Sequence, residues 1–178
     1  KPLMKFFIYT FVGSLAMLLS FMALGTYSSS FAYEDLLAVQ LTAKTAFWVM
    51  CGFFLAFAIK IPLFPFHTWQ PDTYTVSPMA GTMLLSALML KMALYGMIKW
   101  MIPIGFEGLV YLKWPVITLG GIGIVYGAII AMKQKDLKTL FAYASISHLG
   151  LIAAGIMLFT VSAIEASMIQ IINHSGDF

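Results

Sequence analysis

Two apolar stretches of membrane-spanning length, residues 45–66 and 79–101, each carry one lysine in their interior, Lys60 and Lys91. No other feature constrains the chain as tightly. A charged side chain at the centre of a bilayer costs ~2.5–3.5 kcal/mol even on lenient insertion scales, so it turns to a protein interior or a water-filled path. Lys91 lies 12 residues after Met79 and 10 before Met101. At ~1.5 Å per residue that is roughly 15–18 Å from either end, the middle of a ~30 Å hydrocarbon core. Lys60 is followed by Pro62 and Pro65. Proline removes a backbone donor and clashes with the preceding turn, so the helix is predicted to break just after the lysine. Broken helices at membrane depth survive only where protein buries them or they line a cavity.

The rest of the chain agrees with a membrane setting. Of 178 residues, 61% are hydrophobic and 10% charged, and the mean hydropathy is +0.94. This is the composition of an integral membrane protein, with the lipid bilayer as its first partner. Ten lysines against seven acids, with no arginine, give a net charge of +3. The lysines are scattered towards span ends, which is a topology signal and not a nucleic-acid footprint. Cys51 lies inside a span and has neither a disulfide partner nor metal-ligand spacing around it, so it reads as packing. With no initiator methionine and no cleavable leader, residues 1–178 are expected to be one transmembrane domain, an internal fragment of a longer protein.

The spans follow in order. Residues 6–26 cross once, with Gly13, Ser14 and Ala16 offering close packing. Residues 27–43 form an outer loop. The broken span 45–66 leads into HTWQPDTYTVSP, read as a short helical piece and a turn. Span 79–101 is followed by the connector IPIGFEGLVYLKW. Span 115–132 carries Gly120, Gly121, Gly123 and Gly127, a close-packing face. After the turn KQKDLK, span 139–159 contains His148, and a sixth segment begins near Ala163 and ends after His174. The expected fold is all-α: a polytopic transmembrane helix bundle of about five complete spans plus part of a sixth, with one proline-broken helix. Placing Lys1, Lys5, Lys133, Lys135 and Lys138 inside leaves Lys44, Lys99 and Lys113 outside, which orients the bundle.

The ionisable residues divide into carriers and structural groups. An amine in low dielectric surroundings loads and releases a proton as a neighbouring charge changes. Lys60 and Lys91 therefore read as proton carriers, against the plainer readings of a snorkelling Lys60 and a static ion pair at Lys91. Leu88, Lys91, Tyr95 and Ile98 share a helical face, so Tyr95 is expected to extend the path. His148 and His174 titrate closest to neutral pH and are the candidate relays; the alternative for His148 is a core histidine satisfied by Ser145 or Ser147. His67 and Asp72, with Pro71 beside them, suit turn chemistry and would guard proton access from the inside. Ser162 to Glu165 fits a capping box, and Asp136 fits a helix cap. No glycine-rich phosphate loop, cysteine cluster or nucleophile elbow occurs, so no cofactor or metal site is expected in this chain.

FAIKIPLFPFHTWQPDTYT, LMLKMALYGMIKW and QKDLKTLFAYASISHLGLIAAG together resemble the antiporter-like proton-translocating membrane subunits of respiratory complex I, the NADH:quinone oxidoreductase. Relatives include antiporter subunits of multi-subunit sodium/proton exchangers and membrane subunits of energy-converting hydrogenases. The resemblance covers nearly the whole chain. It implies six of fourteen spans, a bacterial inner membrane, and other membrane-arm subunits as partners. It also implies that NADH, FMN, iron–sulfur clusters and quinone belong to partner subunits. Lys60 matches the family's broken-helix lysine and Lys91 its central lysine, while His148 and His174 match two family histidines. Tyr74 and Val76 stand where the family often has an acid or a histidine, and Ser175 stands where it has glycine.

Overall fold

The computed structural model describes residues 1–176, and among these every regular element is helical. Helix α1 (Pro2–Tyr27) opens with proline in its first turn, where a missing N–H costs nothing. After the short α2 (Tyr33–Leu37) in the loop, α3 (Ala43–Lys60) starts at Thr42, whose hydroxyl accepts the Thr45 N–H at 3.4 Å. α4 (Trp69–Val76) is the predicted short helical piece. A helical run of 54 residues follows, α5 (Met79–Met132). α6 (Leu137–Ile156) and α7 (Val161–Gly176) complete the chain.

Four of these helices, α1, α3, α5 and α6, are long and apolar enough to cross a membrane. One of the four is two limbs. A straight helix of 54 residues would extend ~81 Å, far beyond a ~30 Å core. Yet Lys138, just past the far end of α5, donates to the Ser77 carbonyl at 2.9 Å, just before its near end. The run therefore doubles back. Its one non-helical residue is Gly105 (φ −125°, ψ 32°), and Pro115 lies within the second limb. At Gly105 an added Cβ would fall 2.2 Å from the Met50 sulfur, so the bend is packed directly onto α3. The expected connector over 102–114 is thus itself helical, with the change of direction concentrated at its start.

The bundle packs as apolar helices in lipid do. α1 buries Gly13, Ser20 and Leu24 against α3 and leaves Leu3, Phe7, Phe11 and Leu18 exposed. Ser14 stays on the open side, so only part of the small-residue patch is used. α3 supplies Met50, Phe53 and Phe57 to a core cluster that also holds Leu90 and Leu94 of α5 and Leu149 and Ile152 of α6. The second limb of α5 and α6 touch backbone to backbone: a Cβ on Gly120 would lie 2.7 Å from the Gly150 carbonyl oxygen. Gly121 and Gly123 meet nothing within 4 Å, so half of the expected glycine face packs. Asp136 caps α6 as expected, its carboxylate accepting the Thr139 N–H at 3.1 Å. The expected capping box at Ser162 and Glu165 does not form. Thr160 takes that place, its hydroxyl accepting the Ala163 N–H at 3.2 Å, because the helix starts one residue before Ser162.

Candidate functional site

The broken helix can be followed carbonyl by carbonyl. α3 ends at Lys60 and residues 61–68 turn irregularly before α4. Pro62 has no N–H to give to Ala58, so the Leu63 N–H takes the Ala58 carbonyl instead, at 3.0 Å. That leaves the Ile59 carbonyl, which accepts the Trp69 indole N–H at 2.8 Å. Trp69 is fully buried. A residue of α4 thereby satisfies the backbone that proline freed, one position before Lys60. Lys60 is half-buried at the end of its helix, and among the described residues its ammonium has no hydrogen bond or ion pair.

Lys91 is held differently. It sits in an unbroken stretch of α5, directly after a π-helical turn, Leu85–Met89. A wider turn disturbs the regular ladder of carbonyls, and the Lys91 amine donates to the Ser86 carbonyl within it. Its second partner is Nδ1 of His174, on α7, at 2.9 Å. His174 is 2% exposed. The His174 ring in turn lies 5.7 Å, centroid to centroid, from the ring of His148 on α6, nearly edge-on at 78°. Three of the four expected site residues thus come together, from three different helices.

The chemistry of this group follows from its atoms. An imidazole nitrogen 2.9 Å from an amine accepts from Lys91 when the lysine is the cation, and donates to it when the histidine is. Two positive charges at that separation in a low dielectric repel, so protonation of either group opposes protonation of the other. His148 extends the group towards the open face of α6, where it is exposed. His174 stands between Lys91 and His148.

One expectation changes. Tyr95 is 60% exposed and Leu88 58%, so the face they share with Lys91 is not a buried path. The tyrosine ring lies 5.7 Å from the Lys99 ammonium. Lys91 and Tyr95 lie in one ordinary α-helical stretch, Leu90–Gly96, and keep the expected register; the side of that stretch carrying Tyr95 is the open one.

A second polar cluster lies at the end of the bundle that carries α4, outside the spanning segments. Lys5 pairs with Asp72 at 2.8 Å, and the Tyr9 hydroxyl meets the Thr68 hydroxyl at 2.9 Å. Both contacts tie α1 to the broken region. Nothing local in the sequence signals them, since the partners are about sixty residues apart. His67 is buried between Phe64 and Tyr126, with centroids at 5.5 and 4.9 Å. Burial, and then the charge of Lys5, hold its imidazole below the usual histidine range. His67 Nδ1, Gln70 Oε1 and Ser145 Oγ have no hydrogen-bond partner among the described residues. Tyr74, in place of the family's acid or histidine, is buried and accepts from Gln70 Nε2 at 3.0 Å. Burial pushes its phenol up to about 12, so it stays neutral.

A family model described as "NADH:quinone oxidoreductase/Mrp antiporter, TM" matches residues 3–176. NADH-quinone oxidoreductase subunit M of Escherichia coli (strain K12) is 38% identical over 176 residues, 96% of this chain and 35% of that protein. NADH-ubiquinone oxidoreductase chain 4 of Metridium senile is 37% identical over 169 residues, 95% of this chain and 34% of that one. The chain spans about a third of the length of the curated relatives it matches. A chain in the structure "Respiratory complex I from Thermus thermophilus with bound NADH" superposes with a TM-score of 0.90 at 35% identity, over 98% of this chain and 39% of that one. A chain of the "Mrp complex from Dietzia sp. DQ12-45-1b" does so at 0.87 and 19% identity, over 98% and 32%, a likeness of fold.

Proposed function

Since the chain belongs to the NADH:quinone oxidoreductase/Mrp antiporter membrane family, we propose that it forms part of a proton-translocating, non-redox membrane subunit of an NADH:quinone oxidoreductase. Its neighbours in the bilayer are other membrane-arm subunits, and the NADH, flavin, iron–sulfur and quinone sites belong to partner subunits of the complex. Its home is the bacterial inner membrane. The observation that supports this reading most is the Lys91–His174–His148 group, three proton-exchanging side chains brought together from three helices.

Lys60, Lys91, His174 and His148 are the proposed relay, in that order. A charge change arriving along the membrane moves the balance at Lys60, whose ammonium sits at a helix end with no fixed counter-ion among the described residues. At an effective dielectric of ~20, two unit charges 4 Å apart interact by ~4 kcal/mol, about three pKa units, which suffices to switch the proton affinity of a buried amine. Lys91 then passes its proton to His174 Nδ1, and His174 to His148. His67 and Gln70 support access from the Asp72 end: buried polar atoms without partners among the described residues are sites that ordered water fills.

The test is proton uptake by vesicles containing the complete complex with Lys91→Met. The proposal expects loss of NADH-driven uptake with assembly intact. Unchanged uptake would make the lysine a structural cation. Sodium-dependent exchange without NADH would instead favour an antiporter, the other activity that the family's description names.

A further inference from the structure

The relay leaves Lys44 unused. This lysine stands exposed in the first turn of α3, at the end opposite the break, and makes no ion pair among the described residues. Two separate grooves open beside it. One, of about 610 Å³, runs between α1 and α3 from Tyr27 and Lys44 down to Ala16 and Gly52. The other, of about 430 Å³, lies on the opposite flank of α3, between Ala43, Lys44, Phe47 and Tyr111 of the second limb of α5. Lys44 is the one residue that lines both. Between them rises a ridge of two aromatic rings, Phe47 and Trp48, 5.7 Å apart.

We propose that Lys44 and its two flanking grooves bind one anionic diacyl phospholipid, its phosphate on the ammonium and one acyl chain on each side of the Phe47–Trp48 ridge. The shape argues for two chains joined at one head, because two apolar channels diverge from one cation. The charge argues for an anionic head, because the cation at their junction has no protein counter-ion among the described residues. The depth agrees as well. Trp48, Tyr27 and Tyr111 are each about 60% exposed around the mouth, and Trp and Tyr favour the level of the lipid headgroups. The floor of the larger groove is closed without help from the ligand: the Ser20 hydroxyl donates to the Val49 carbonyl at 3.0 Å, so no buried polar atom there competes for the chain. A lipid seated so would wedge α1 and the second limb of α5 against α3, at the opposite end from the pin made by Lys5 and Asp72.

The test uses the complete complex in bilayer nanodiscs made with photoactivatable phosphatidylglycerol or photoactivatable phosphatidylcholine, with crosslinked peptides mapped by mass spectrometry. Phosphatidylglycerol should label residues 43–52 and Tyr111 together. Lys44→Met should reduce that labelling about fivefold, as expected for one basic side chain at a lipid surface, while Lys44→Arg retains it. Ala16→Phe, which fills the larger groove without touching the charge, should remove the labels at Trp48, Val49 and Gly52, which line that groove, and spare Tyr111. Equal labelling by phosphatidylcholine, no effect of Lys44→Met, or no labelling because protein covers the grooves would each overturn the proposal. NADH-driven uptake in the same preparations, expected to persist in Lys44→Met, keeps this result separate from that for the relay.

Discussion

Lys60 and Lys91 look alike in the sequence, one amine in each of two successive apolar spans, but the fold holds them in opposite ways. Around Lys60 the backbone is irregular and the side chain is the group without a fixed partner. The cost of the proline break is met by another element, through the Trp69 indole on the Ile59 carbonyl. Around Lys91 the helix continues and the side chain carries the bonds, to the Ser86 carbonyl and His174 Nδ1. The contrast assigns their work: the amine with a loose environment is the one a passing charge can shift, and the amine in a bonded group is the one that hands a proton on.

The sharpest way to break that contrast is to exchange the chemistry at each site. Lys91→Met should lower proton uptake by about 10²-fold, the usual scale for losing a positioned proton carrier. Lys91→Arg should not restore it, since a guanidinium keeps its proton at any working pH. Ser86→Ala should leave uptake near normal, because Lys91 uses the backbone carbonyl of Ser86 and not its hydroxyl. A strong Ser86→Ala defect would mean that the serine side chain, not the π-helical turn, is what matters there.

On the other side of the comparison the expected losses are in stability. Trp69→Phe keeps the ring and removes the N–H, leaving a buried carbonyl unsatisfied at a cost of about 1–3 kcal/mol. Denaturant unfolding of the purified complex should show a lowered midpoint for this subunit, and an unaltered midpoint would show that the break is satisfied some other way. His67 gives a pH signature. Its folded-state affinity for protons is below that of the unfolded chain, so its contribution is complete above ~6.5 and declines as the pH falls below that value. His67→Gln should flatten the stability profile between pH 7 and 5, and a profile that stays steep would assign the slope to another group. The smallest effect belongs to Asp72→Asn. Its pair with Lys5 is 38% and 48% exposed, so only ~0.2–1 kcal/mol is expected from a double-mutant cycle.

What the sequence revealed was local and compositional. Pro62 and Pro65 announce the end of α3, Asp136 announces the start of α6, and apolar run lengths announce the spans. Each depends on residues within a turn or two of one another. Partnerships between distant elements were not legible. Lys5 with Asp72, Trp69 with the Ile59 carbonyl, and Lys91 with His174 all join residues that only packing brings together, though residue type had already marked Lys91 and His174. Exposure was the other blind spot. A 3.6-residue period put Tyr95 on the Lys91 side, and the α-helical stretch Leu90–Gly96 keeps it there, but the period does not say that this side is left open. The helical connector over 102–114 was hidden by its composition: Pro103, Gly105 and Gly108 read as breakers, while Gly105 alone carries the bend.

The central claim is that Lys91 and His174 act as one proton-holding unit, and a double-mutant cycle on transport measures that most directly. Proton uptake driven by NADH would be compared in vesicles containing the complete complex with Lys91→Met, His174→Leu and both together. The account predicts that each single change removes most of the uptake and that the double variant is no worse than the more impaired single, the mark of groups that work as a unit. Losses that multiply, or full uptake in His174→Leu, would contradict it.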